Sequence, residues 1–217
     1  RDNDPVGCAN AVAVNAYFPH IFARIFGDKT KIIQIATDCV YSGKTGNYTE
    51  SSTHDPLDVY GKTKSLGEVN HRNLLNIRCS IIGPEIGDRK TSLLEWFLSN
   101  PDGSKVPGFT HHRWNGITTL QFAQLCERIV TTGVFSALRD QASVLHFRPN
   151  NTTTKAELLH IFNEVYGRKI IIEEKNNAGG APIDRTIDTE LKGLDEIFPR
   201  ITIKDAVTNL RNFWHTN

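Results

Sequence analysis

The chain has no surplus of charge of either sign. Its 25 Lys and Arg face 24 Asp and Glu, a formal net charge of +1 over 217 residues. That balance lacks the basic footprint that grips nucleic acid or an anionic lipid surface, so neither is expected as a main partner. Long apolar runs are also missing; nothing approaches the roughly 18 residues needed to span a bilayer. Cysteine is sparse. Cys8, Cys39, Cys79 and Cys126 stand far apart and fit neither a zinc spacing nor a disulfide framework, so reduced core thiols in a cytoplasmic protein are expected. Among eight histidines the one adjacent pair, His111–His112, has no nearby Cys, and no His-x-x-x-His accompanies it, so no metal is expected. No carboxylate pair has a spacing that suggests glycosidase chemistry; Glu50 and Glu68 read as loop and helix hydrogen-bond partners. Repeats, low-complexity segments and a signal-peptide pattern are absent. The first residue is Arg1, and the lines after it already read as the inside of a fold, which implies a fragment or a processed N-terminus.

What is present is the composition of a soluble globular protein, 39% hydrophobic and 23% charged, enough for one large domain or one and a half ordinary ones. Residues 5–26 carry apolar side chains at three- and four-residue steps and predict a helix, kinked or restarted at Pro19 and ended by Gly27. Residues 31–37 are short and β-branched, a buried-strand pattern. Residues 38–58 form a long polar loop, and loops of that length inside compact domains tend to be functional. A helix from Tyr60 to about Asn73 and a strand over 74–82, closed by Gly83–Pro84, follow. This alternation predicts parallel strands with helical crossovers. Thr37 then stands at the carboxyl end of its strand, where ligands bind in open α/β sheets.

Beyond residue 84 the pattern predicts a helix over 91–100, a loop over 101–115 and a helix to Val130 capped by Thr118 or Thr119. A strand over 144–148, a helix over 155–166 capped by Thr153 or Thr154, a strand near 169–173 and a terminal helix over 203–214 complete it. Trp96, Trp114 and Trp214 read most simply as core or interface aromatics.

Tyr60 and Lys64 are the most informative pair. Positions i and i+4 share a helical face, so a phenol and an ammonium point into one space. The cation is expected to draw the phenol's proton affinity down toward neutral pH, and such a phenol can protonate a carbonyl oxygen or take a proton from an alcohol. Thr37, before the loop, could hydrogen-bond the same oxygen. Asn15, on the first helix, could anchor a water leading to Lys64.

The order Asn, Thr, Tyr-x-x-x-Lys resembles the catalytic tetrad of the extended short-chain dehydrogenases/reductases. The stretches 36–43 (Ala-Thr-Asp-Cys-Val-Tyr-Ser-Gly), 46–50, 60–68 and 78–83, with weaker ones at 115–120, 145–147 and 184–188, resemble the dTDP-4-dehydrorhamnose reductase group. The resemblance implies an α/β fold: a partial Rossmann-type doubly wound parallel sheet in residues 1–84, carrying the catalytic residues, and a smaller α/β substrate-binding region in 85–217. It implies reduction of a nucleotide-linked 4-keto-6-deoxy sugar with NADP or NAD. Tyr60 would donate the proton, Lys64 would lower its pKa and hold the nicotinamide ribose, Thr37 would orient the carbonyl, and Asn15 would support the relay. Cys79 and Ser80 would lie near the nicotinamide. Asp38, Val40, Trp96 and Arg113 would be substrate contacts, Arg113 for the diphosphate because guanidinium matches phosphate geometry. A solvated loop arginine is the equal alternative for Arg113, and a core role for Trp96.

One departure bears on completeness. The group opens with a glycine-rich turn that seats the dinucleotide pyrophosphate on a helix N-terminus. No such turn follows a strand here, and Gly179–Gly180 lies in a late loop. The expectation is a C-terminal portion of the enzyme, inactive or nearly so alone. Two other readings stay open: an epimerase or dehydratase of the same superfamily, and a non-catalytic binding subunit, since the regulatory β subunit of methionine adenosyltransferase shares this fold. Homo-oligomerisation is also left open.

Overall fold

Asp4 starts the first helix. Its backbone is extended and its carboxylate accepts a hydrogen bond from Gly7 N–H, with Pro5 at the first helical position, where no donor is needed. In the computed structural model, which describes residues 4–86, 91–176 and 183–216, the helix then runs in three pieces. These are α1 (Pro5–Ala11), a π-helical turn (Val12–Tyr17) and α2 (Phe18–Phe26). The break expected at Pro19 is therefore a widened turn: proline has no N–H for the carbonyl four residues back, and the π turn just before it sends Phe18 N–H to Ala13 instead. Arg1 and the Gly179–Gly180 pair lie outside the described residues.

Next come β1 (Ile32–Ile35), a single 3-10 turn (Asp38–Val40), α3 (Val59–Leu66), β2 (Leu74–Arg78) and β3 (Ile81–Ile82). The second region contains α4 (Leu93–Ser99), β4 (Lys105–Phe109), β5 (His112–Trp114), β6 (Ile117–Thr118), α5 (Thr119–Thr132) and α6 (Phe135–Gln141). It continues with β7 (Val144–His146), β8 (Thr153–Thr154), α7 (Lys155–Tyr166), β9 (Ile171–Lys175), β10 (Ile183–Asp184), α8 (Leu194–Ile197) and α9 (Ile203–Thr216). Thr118 and Thr154 are the helix caps, each completed by a reciprocal partner three residues on, Gln121 and Glu157.

The main sheet is parallel with order β1-β2-β7, so its third strand comes from the second region. Three smaller strand groups, β10-β5-β8, β3-β6 and β4-β9, build the rest. One core packs α5 and α6 on the sheet through Leu75, Ile77, Leu125, Ile129, Leu138 and Leu145. A second joins α4, α7 and α9 through Phe97, Leu158, Phe162, Val207 and Leu210.

Several expected boundaries move. The helix carrying Tyr60 stops at Leu66 rather than near Asn73, because Gly67 passes so close to the first helix that a Cβ there would overlap the Asn15 carbonyl oxygen. The strand expected over 74–82 divides at Cys79–Ser80, β2 pairing with β1 and β7 and β3 with β6. The segment 101–115 is not a loop. It holds β4 and β5, and β4 pairs in parallel with β9 from Lys105↔Ile171 to Phe109↔Lys175. Gly108 reads in sequence as punctuation, yet it serves close packing: a Cβ would stand 2.5 Å from Ile172 Cγ2. Helices α6 and α8, of 7 and 4 residues, are too short to leave a clear periodic signal. Trp214 is 51% exposed, outside both cores.

A buried polar hub fixes the long loop 38–58. Arg78 is buried in β2. Its Nε and Nη2 donate to Glu68 Oε1 and Oε2 at 2.7 and 2.6 Å. Nη1 donates to the Tyr41 hydroxyl at 2.6 Å and meets His146 Nε2 at 3.1 Å, while Nη2 meets His54 Nε2 at 2.6 Å. Glu50 accepts from His146 N–H at 2.8 Å and from the Thr189 hydroxyl at 2.6 Å. Tyr41 stacks on Tyr48, ring centroids 4.3 Å apart. Glu50 and Glu68 are thus structural hydrogen-bond partners, as their sequence context predicts.

Candidate active site

β1 ends at Ile35 and delivers Thr37 in extended conformation. The Thr37 hydroxyl accepts from Cys39 N–H at 3.1 Å and donates to Asp38 Oδ1 at 3.3 Å. α3 is capped by Asp58, which accepts from Gly61 N–H at 2.7 Å. Its first turn lies directly on the 3-10 turn, and a Cβ at Gly61 would overlap the Cys39 carbonyl oxygen. That close approach, open only to glycine, sets Tyr60 near Thr37, whose hydroxyl acts to lower the phenol's pKa. Tyr60 as a residue is 42% exposed.

Lys64 Nζ donates to the Ile35 carbonyl at 2.7 Å. The expected lowering of Tyr60 by Lys64 is not what the geometry yields. Burial pushes the phenol's pKa up, the Thr37 hydroxyl opposes it, and Asp38, Cys39 and Cys79 push further up. Burial lowers the Lys64 pKa, against the pull of Glu68 and Cys79. Sharing a helical face aligns Tyr60 and Lys64, but Lys64's ammonium is committed to the strand end.

Asn15 does not pair with Lys64. Its Nδ2 donates to the Thr63 hydroxyl at 3.2 Å, and that hydroxyl donates to the Tyr60 carbonyl at 3.0 Å. Asn15 therefore holds the turn of α3 that bears Tyr60. Asp38 is buried beside Thr37, and burial raises its carboxyl pKa, opposed by Arg185 and Lys155. The Val40 side chain is fully buried with Tyr41, Tyr48 and Ile187 and is not presented to a ligand. Cys79 is buried, its thiol pKa pushed far up by burial, and it lies within electrostatic reach of Lys64. Ser80 gives its carbonyl to Ile117 N–H at 2.8 Å. Trp96 packs on the α4–α7–α9 core, the alternative reading of that residue. Arg113 is largely exposed and faces Asp184 at 3.6 Å, an outer ion pair.

Two residues that sequence reasoning passed over stand beside Asp38. Lys155, the first residue of α7, lies 5.3 Å from the Trp114 ring centroid. Arg185 reaches back so that its Nη1 is 3.7 Å from Cys39 Sγ. The signals were there: Arg185 sits inside the 184–188 stretch, and Lys155 directly follows the capping threonines. Among the described residues no group of His, Cys, Asp and Glu could hold a metal ion, and no helix is long and apolar enough to cross a membrane.

Residues 7–82, which include Asn15, Thr37, Tyr60 and Lys64, match the RmlD substrate binding domain family. The whole chain is similar to a dTDP-4-dehydrorhamnose reductase from Clostridium acetobutylicum, at 15% identity and a TM-score of 0.74, over 99% of this chain and 77% of that one. A dTDP-4-dehydrorhamnose reductase from Bacillus anthracis in complex with NADP aligns at 14% identity and a TM-score of 0.71, over 100% and 76%. A dTDP-glucose 4,6-dehydratase from Streptomyces venezuelae with NAD and TYD bound aligns at 17% identity and a TM-score of 0.70, over 98% and 69%. No curated protein matches. At these identities the structural matches establish the fold: the mixed α/β architecture with parallel strands is that of the Rossmann-like reductases and dehydratases. The family match falls on the stretches 36–43, 46–50 and 60–68 that carry the resemblance in the sequence, and the fold agrees with it.

Proposed function

We propose that this chain carries the acid–base machinery of an NAD(P)-dependent reductase acting on a nucleotide-linked 4-keto-6-deoxy sugar, of the dTDP-4-dehydrorhamnose reductase kind. One observation carries the reading: Tyr60 and Lys64 share a helical face at the carboxyl end of β1, with Lys64 bonded to the Ile35 carbonyl and Tyr60 close enough to feel the Thr37 hydroxyl. Residues 1–84 would supply this machinery and 85–217 most of the substrate contacts. A protein with this chemistry works in the cytoplasm, where nucleotide sugars and NAD(P)H are available.

A phenol whose proton affinity is raised is fully protonated at neutral pH and so starts the reaction as a donor. Tyr60 gives its proton to the sugar's carbonyl oxygen as negative charge develops there. The Thr37 hydroxyl holds that oxygen in line and stabilises its charge. Asn15, through Thr63, keeps the Tyr60 turn in place.

The nicotinamide cofactor, when bound, supplies the hydride for the carbonyl carbon. The residues present fit its nicotinamide end: the Lys64 ammonium spends one N–H on Ile35 and keeps two for the ribose hydroxyls, with Cys79 within its electrostatic reach. They do not offer a pyrophosphate seat. Ala36 and Thr37, not glycines, follow β1, and no other described strand leads through a glycine-rich turn into a helix.

The test is oxidation of NADPH or NADH by the full-length protein given a dTDP-4-keto-6-deoxy sugar. Turnover is expected, with a loss of roughly a hundredfold or more in Tyr60→Phe. Near-normal turnover in that variant removes Tyr60 as the acid. The dehydratase match favours one other reading, an epimerase or dehydratase working on a tightly held NAD. Sugar conversion without added cofactor would select it.

A further inference from the structure

Lys155 and Arg185 are cations placed where a cation is costly. Neither forms an ion pair among the described residues. The Arg185 Nε is buried with no hydrogen-bond partner. Asp38 feels both cations, while its burial opposes its charged form. His112, on β5, faces the same two cations, which disfavour its protonation after burial itself does. Two cations, from α7 and from the segment after β10, thus gather beside one buried acid from the loop after β1. A buried donor with no acceptor costs free energy, so an acceptor from outside at the Arg185 Nε is the physical expectation.

Position tells what the partner is. Asp38 accepts a hydrogen bond from Thr37, whose hydroxyl lies close enough to Tyr60 to act on the phenol's pKa. A ligand whose keto group lies on Tyr60 and Thr37 would place its next charged group beside Asp38, at Lys155 and Arg185. An unpaired buried guanidinium N–H with an ammonium beside it suits phosphate oxygens. Trp114, under the Lys155 ammonium, holds that charge against an aromatic face and away from bulk water.

Resting on the reductase reading above, we propose that Lys155 and Arg185 form the seat for the diphosphate of the nucleoside-diphosphate sugar, in place of the exposed Arg113. Isothermal titration of the chain with dTDP, thymidine and inorganic pyrophosphate tests it. The expected result is binding of dTDP and pyrophosphate, thymidine at least tenfold weaker, and affinity for dTDP that falls as salt rises. Arg185→Gln and Lys155→Met should each weaken dTDP binding tenfold or more, with Arg185→Lys intermediate, while Arg113→Gln stays within twofold. Thermal melting of the unaltered chain gives a readout independent of how the variants fold: dTDP and pyrophosphate should raise the midpoint and thymidine should not. Equal binding of dTDP and thymidine, or dTDP binding by Arg185→Gln as tight as by the unaltered chain, overturns the seat. Binding as described without any NAD(P)H oxidation by the full-length protein would instead fail the reductase reading and leave the seat standing.

Discussion

Arg78 grips Glu68 with two parallel hydrogen bonds, at 2.7 and 2.6 Å, where both side chains are almost wholly shielded from water. The same guanidinium meets Tyr41, His54 and His146, so one residue of β2 ties the loop after β1 to α3's exit and to β7. Removing one partner leaves the other charge buried and uncompensated. Glu68→Ala is expected to cost about 3–5 kcal/mol in urea unfolding. The double replacement Glu68→Leu with Arg78→Met should cost less than Arg78→Met alone, because it strands no charge.

The hub also sets a pH dependence. Burial lowers the pKa of His146 and of His54, with Arg78 adding to both, while Glu50 and Glu68 respectively oppose. A histidine whose folded pKa lies below its unfolded value stays neutral in the fold while the unfolded chain takes a proton. Stability is therefore full above the unfolded value of about 6.5 and is lost as pH falls from there through the folded values. Thermal midpoints measured between about pH 8 and 5 should decline over that interval. A midpoint that rises on acidification would contradict the direction assigned here.

Two glycines carry the site's geometry. Gly61→Ala should force α3 off the Cys39 carbonyl and separate Tyr60 from Thr37. The expected outcome is roughly 1–3 kcal/mol of destabilisation and a turnover loss larger than that of Lys62→Ala on the same helix's solvent side. Gly67→Ala should lose stability by a comparable amount through the Asn15 carbonyl.

Val40 and Arg113 separate packing from binding. Val40→Ala should cost roughly 2 kcal/mol by loss of buried methyl groups with an unchanged substrate KM in protein that remains folded. Arg113→Gln should change stability by less than about 1 kcal/mol, since the Arg113 side chain is 54% exposed and Asp184 keeps its bonds to Thr186. A large KM increase in Val40→Ala would restore that residue as a sugar contact.

Much of this was legible in the chain. The β-branched run at 31–37, the cap-and-face pattern of 155–166 and the Tyr60–Lys64 spacing report local physics, and the structure has a strand and two helices there. What failed depends on distant partners. Gly67 ends α3 because another helix passes by, and Pro107–Gly108 looked like a turn because β9, which pairs with them, is more than sixty residues away. Lys64's tether and Lys155's place beside Asp38 depend on where strand ends meet. Val40 shows the converse: adjacency to Thr37 suggested a ligand contact, but the 3-10 turn rolls it into the core.

Lys64 has a second consequence, one of solubility. Among the described residues β1 pairs with β2 alone. Ile32 and Ala36 donate to that neighbour, so the alternate residues Ile33 and Ile35 turn their amide groups outward, and Ile35 is 48% exposed. Such a rim is a template on which another extended chain can dock. The Lys64 ammonium occupies the Ile35 carbonyl and sets a charge on the rim. Replacing Lys64 with methionine should therefore do more than slow a reaction. Light scattering should show concentration-dependent association in Lys64→Met that Tyr60→Phe lacks.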